Sequence, residues 1–216
     1  ENSVDLLTGG PPCQGYSALG IRRSYSVDKK QLPSNHLYQD MAYFISQIQP
    51  KIFLFENVRG LLNAKWTKDG IKGEIFKDVF KTFDSLSNYT VKFKLVKAND
   101  YGVPQNRPRV LVIGVRNDVN LNSMSALDAL EGGFLPEPTN DYPDIEDLLS
   151  DLVDDNFEYG GESMSYIKDP LNRLQETYRT NIHSGALMKK GDELTEMKYS
   201  RHSDKVVEKF SHMIKN

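Results

Sequence analysis

Short apolar runs alternate along this chain with longer stretches in which apolar residues recur at helical spacing. Val4-Asp5-Leu6-Leu7-Thr8 and Lys51-Ile52-Phe53-Leu54-Phe55 are strand-length runs suited to burial. Between them, apolar residues at 37, 41, 44, 45 and 48 follow a period of 3.6, which predicts an amphipathic helix over Leu37–Gln49. Strand, helix and strand in that order form a βαβ unit with parallel strands. Ile71, Ile75, Phe76, Val79, Phe80, Phe83 and Leu86 predict a second helix ending near Asn88. Tyr89–Val96 alternates as a half-buried strand, and 109–115 returns as a strand after a turn at Tyr101–Asn106. These last two are expected to pair antiparallel. The expected fold class is therefore α/β, a mostly parallel sheet with a reversed strand at its edge.

Beyond Asn117 the periodicity weakens. Short helices are expected at Ile145–Val153 and Asp169–Thr180. A better one runs over Ser203–Asn216, where Val206, Val207, Phe210, Met213 and Ile214 share a face behind a Ser203 N-cap. No internal repeat is present. At 216 residues the chain is long enough for one domain, or for one domain and part of a second.

Charge changes this picture only once it is divided. The net charge is −3, yet residues 1–135 hold 17 Lys+Arg against 13 Asp+Glu. Residues 136–162 hold 10 acids and no base, and residues 163–216 hold 10 bases against 7 acids. The acidity thus belongs to one insert, 136–162, which reads as a solvated or disordered loop. The remaining positive surface is too small for a strong grip on phosphate by charge alone. A single cysteine excludes an intramolecular disulfide framework and fits a reducing, cytoplasmic setting. The apolar runs are too short for a membrane span or a secretory leader.

That cysteine lies in Gly9-Gly10-Pro11-Pro12-Cys13-Gln14-Gly15-Tyr16-Ser17, just after the first strand. A thiol in a turn stiffened by Gly and Pro has the fixed aim that a nucleophile needs, although a free cysteine is as often a small buried hydrophobe. Glu56-Asn57-Val58 closes the second strand, and Gln105-Asn106-Arg107-Pro108-Arg109 opens the last one. Since alternate strand residues point the same way, Arg107 and Arg109 are expected to face one side. Glu56 read alone could equally cap a following helix, and the arginines could be ordinary solvated residues. His36, His183, His202 and His212 lack cysteine partners and ligand spacing, so no metal site is expected.

In order and wording, the Pro-Cys-Gln, Glu-Asn-Val and Gln-x-Arg-x-Arg blocks resemble those of the DNA cytosine-5 methyltransferase family, from about Ser3 to Asp118. The resemblance implies a partial Rossmann-like, S-adenosylmethionine-dependent methyltransferase fold. It implies Cys13 as the nucleophile that adds to cytosine C6, and Glu56 as the group that holds the N3/N4 edge and protonates N3. For that role partial burial of Glu56 is expected, to favour its protonated form. Arg109 is implied as a donor to O2, and Arg107 as a residue that places the loop or the base. Pro11 and Leu37 are implied as contacts to S-adenosylmethionine. Ser17, Arg22 and Arg23 belong to a loop that closes on double-stranded DNA while the target base is flipped out. Arg201–Phe210 is similar to the helix that often precedes target recognition in the family. Residues 1–118 then correspond to the C-terminal half of a catalytic domain. Residues 119–216 correspond to a linker, the acidic insert and the start of a target-recognition region.

Two rival functions stay open: a tRNA cytosine-5 methyltransferase, and a non-catalytic subunit that binds DNA or a partner. Ser17 and the Gln105-Asn106-Arg107 wording favour DNA. The family's Gly-rich cofactor turn and following acidic residue find no counterpart here, since only twelve residues precede Cys13. The expectation is a piece of a bacterial restriction-modification methyltransferase, inactive alone. Its strand at 4–8 would be an exposed edge, prone to self-association or to pairing with a complementary chain.

Overall fold

The apolar runs become the strands of one mixed sheet. The computed structural model describes residues 4–12, 32–119, 138–139 and 143–214, so Cys13, Ser17, Arg22 and Arg23 lie outside the described residues. Two compact units are present, Glu1–Tyr142 and Pro143–Asn216.

In the first unit, β1 (Leu6–Gly9) lies parallel to β2 (Ile52–Val58), with Leu6 beside Ile52 and Gly9 beside Phe55. The expected helix α1 (Leu37–Ile48) joins them. It stops where Gln49 turns left-handed at φ 49°, just ahead of Pro50. The second helix, α2 (Glu74–Asp84), starts later than the periodicity predicts. Gly73 turns left-handed there at φ 82°, and Ile71 is left 70% exposed outside the helix.

β3 (Tyr89–Lys97) and β4 (Pro108–Arg116) pair antiparallel as expected. The sheet order, however, is β1-β2-β4-β3. The reversed strand β4 is therefore interior and not at the edge. Of the three strand pairs one is parallel and two are antiparallel, so the mostly parallel expectation is also corrected. The reason is written in the side chains. Val110-Leu111-Val112-Ile113-Gly114-Val115 is apolar on both faces, the run of a strand buried within the sheet. β3 carries exposed Lys92 and Lys94, which suit an edge strand. Gly114 sits where a Cβ would stand 2.1 Å from the Phe53 ring, so its missing side chain is what lets Phe53 lie across the strand pair.

α1 and α2 cover one face of this sheet. Ile45, Phe53, Phe55, Ile75, Val79 and Phe83 form the centre of that core, with the Phe83 ring 5.4 Å from Phe53 and 5.2 Å from Phe55. The other face gathers Ile113 and Val115 with half-buried Ile52, Leu54, Leu111 and Val119. Tyr89, at the start of β3, sends its hydroxyl across the first core to donate to Pro50 O at 2.7 Å.

The second unit holds α3 (Ile145–Leu149), β5 (Glu162–Ser165), α4 (Arg173–Arg179), β6 (Glu193–Lys198) and α5 (Asp204–Ile214). β5 and β6 pair antiparallel and were not legible in advance, being short and almost wholly polar. The acidic insert departs from the solvated loop expected of it. Asp144 caps α3 by accepting from Ile145 N at 2.6 Å. Asp151 is fully buried, with Arg179 Nε and Nη2 each 2.9 Å from its carboxylate oxygens. Gln175, also buried, donates to Asp147 O at 2.9 Å and binds α4 to the same segment.

Two outcomes are expected. Arg179→Ala leaves the Asp151 charge buried without its partner and destabilises this unit by about 3–5 kcal/mol, which urea denaturation reads directly. Tyr89→Phe orphans the Pro50 carbonyl and costs about 1–3 kcal/mol. Burial raises the Tyr89 phenol above its ordinary value, against the opposing pull of Arg116. The stability it confers is thus fully present below about pH 10 and lost as pH climbs through the higher folded value. Tyr89→Phe should flatten part of that alkaline slope.

Candidate active site

Topology brings three chain segments to one rim of the sheet. β1 and β2 are parallel, so their C-terminal ends, Gly9 and Val58, lie on the same side. β4 runs opposite to β2, so its N-terminal start, Pro108-Arg109, arrives there too. Loops beyond strand ends of an α/β sheet are where such folds place their ligands.

Register then decides which side chains meet. Glu56 is opposite Leu111 and Val58 is opposite Arg109, so Glu56 and Arg109 are diagonal neighbours on one face. Arg109 Nε lies 2.5 Å from Glu56 Oε1, with the two side chains 19% and 39% exposed. The contact is an ion pair more than an aligned hydrogen bond, since the buried Nε finds no partner in line with its N–H among the described residues. Arg109 Nη1 also donates to Pro108 O at 2.9 Å, which holds the guanidinium over the strand start. Glu56 is thus partly buried, as expected, and it is held by the charge of Arg109.

Arg107 is not brought into this pair. The ladder begins at Pro108, so Arg107 is a residue of the preceding turn and stands exposed. Its backbone closes that turn: its N–H donates to Gln105 O at 2.9 Å and its carbonyl accepts from Ala98 N at 3.3 Å. Arg107 thus stands just outside the strand on which it was expected to alternate with Arg109.

The turn leading to Cys13 packs directly against the rim. A Cβ on Gly9 would stand 2.7 Å from Met41 Sδ, and one on Gly10 would stand 3.2 Å from Glu56 Oε2. Both glycines allow close approach, one to α1 and one to the carboxylate. On the opposite face from Glu56 lies Asn57, 5% exposed. Its Nδ2 donates to Pro11 O at 3.4 Å and its Oδ1 accepts from Val58 N at 2.9 Å. Sequence reasoning passed over Asn57, although a signal was there. The same alternation that buries Phe53 and Phe55 points residue 57 into the core, and a buried amide needs partners.

Of the two cofactor candidates, Pro11 lines a cleft of about 220 Å³ with Pro12, Asn35, Tyr38, Phe55 and Asn57. Leu37, half-buried at the start of α1, is not among its walls. Much of that volume is open to solvent, and the enclosed space is about that of a single water. These residues form a shallow wall and enclose no small molecule.

The family model for C-5 cytosine-specific DNA methylases matches residues 1–215. The type II methyltransferase M.DdeI of Desulfomicrobium norvegicum is 34% identical over 97% of this chain and 45% of its own length. M.BsuRI of Bacillus subtilis is 37% identical over 78% of this chain and 35% of its own. A crystal structure described as a DNA modification methyltransferase encoded within an E. coli prophage matches with a TM-score of 0.51 at 26% identity, over 80% of this chain and 42% of that one. The chain spans less than half the length of these relatives.

A partly exposed ion pair contributes little to stability. Glu56→Gln is therefore expected to lower unfolding free energy by no more than about 1 kcal/mol. Chemical denaturation checks this, and a much larger loss would make the pair a structural element instead of a reactive one.

Proposed function

Since the chain belongs to the C-5 cytosine-specific DNA methylase family, we propose that it supplies the catalytic residues of a DNA cytosine-5 methyltransferase. The observation that carries this reading is the Glu56–Arg109 contact at the rim where the Cys13 turn begins. N3 and O2 are neighbouring atoms on the cytosine edge, so a carboxyl and a guanidinium in contact match them side by side.

Cytosine C5 is a poor nucleophile until something adds to C6. The Cys13 thiolate forms a bond to C6, and the displaced electron pair makes C5 nucleophilic. Negative charge would accumulate at N3 and O2 in that step. Glu56 delivers a proton to N3 and holds the N4 side, while Arg109 donates to O2. The family uses S-adenosylmethionine, which supplies an electrophilic methyl group. Removal of the C5 proton and departure of the thiolate would then restore the ring. Pro11 and Leu37 contribute to the cofactor wall at most. Arg107, exposed in the turn before β4, serves placement of the loop or the base and not charge relief.

The base must leave the duplex, because C6 is shielded within it. Ser17, Arg22 and Arg23 contact the DNA backbone in this reading. Residues 1–118 act as the C-terminal half of the catalytic domain, and residues 119–216 lead into target recognition. β1 leaves Val4 40% and Leu6 55% exposed, which supports pairing of this edge with a further strand, from this protein or another.

Transfer of labelled methyl from S-adenosylmethionine to mixed-sequence duplex DNA, and separately to tRNA, tests the proposal. Label in DNA that Cys13→Ser abolishes is the expected result. Label in tRNA alone would replace the substrate, and Cys13-independent label would overturn the mechanism.

A further inference from the structure

Pro11 and Pro12 have no N–H groups, so backbone hydrogen bonds at this step can form only at their carbonyls. Among the described residues, Asn57 Nδ2 donates to one of them, Pro11 O, at 3.4 Å. Asn57 is fixed in turn by the Val58 N–H on its Oδ1, and it is buried in the floor of the Pro11–Pro12 cleft. One residue earlier, Glu56 stands on the opposite face of β2, with its Oε2 3.2 Å from where a Cβ on Gly10 would stand. The last residues of β2 therefore hold the turn from both faces.

We propose that Asn57 is a positioning residue that sets the Cys13-bearing turn at a fixed distance from Glu56. This rests on the reading of Cys13 as the nucleophile. In this assignment Asn57 acts on Cys13 through the Pro11 peptide and not by contact with the base. Its removal should change where Cys13 is presented, and so the chemical step, while DNA binding stays as it was.

The test uses the intact protein with Asn57→Ser and Asn57→Leu. Serine keeps an acceptor for Val58 N–H but lacks the reach to Pro11, and leucine keeps the volume but removes both polar contacts. Cys13 is the single thiol of this chain, so its alkylation by iodoacetamide reports the turn without any need for turnover. Both variants are expected to change that rate by about threefold or more and to lower kcat by about 10- to 100-fold, with KM for DNA held within about twofold. Alkylation and kcat equal to the parent in a folded Asn57→Ser protein would overturn the proposal, as would a lower melting temperature as the sole effect. If the parent transfers no methyl group, the methyltransferase reading fails, and the alkylation rates still decide whether Asn57 tethers the turn.

Discussion

A slip of one residue between β2 and β4 would send every side chain of one strand to the other face of the sheet. Phe53 and Phe55 would leave the core under α1 and α2, and the diagonal meeting of Glu56 with Arg109 would be lost. The register is held by more than backbone hydrogen bonds. Phe53 lies over Gly114, where a larger residue would collide with its ring, so this pair admits one alignment. Core packing and site geometry thus follow from a single strand pairing.

The rim of the sheet also explains the composition of the turn before Cys13. Gly9 lies against Met41 and Gly10 against Glu56, at distances where a Cβ would intrude. Pro11 and Pro12 stiffen the following step and remove its donors. A turn so built has few ways to attach, and the polar residues at the end of β2 meet it on both faces. Glu56 and Asn57, adjacent in sequence, are separated by the pleat onto opposite faces of the sheet.

The second unit follows a different logic. Its strands are polar and its helices short, so apolar burial alone is a weak source of order. A hydrogen-bonded network takes that part: Asp151 with Arg179, and Gln175 with Asp147 O and Ser150 Oγ. Such a network is stable only when every buried member has a partner. The acidic segment is therefore ordered where it supplies a partner, at Asp144 and Asp151.

Much of the first unit was determined by sequence alone, because its signals are local. Helical spacing marked α1, apolar runs marked β1 and β2, and the three short blocks named the candidate chemistry residue by residue. What is local to the chain ends there. That β4 lies between β2 and β3 depends on which strands pair along its two edges, a choice made only when the sheet assembles. The same assembly left Arg107 outside the ladder, which begins one residue later, at Pro108. Asp151 and Arg179 are far apart in sequence, and each alone reads as an ordinary solvated charge. Their pairing, like the contacts of Asn57 and Gly10 with their partners, exists only across distant segments, and only the tertiary structure could decide it.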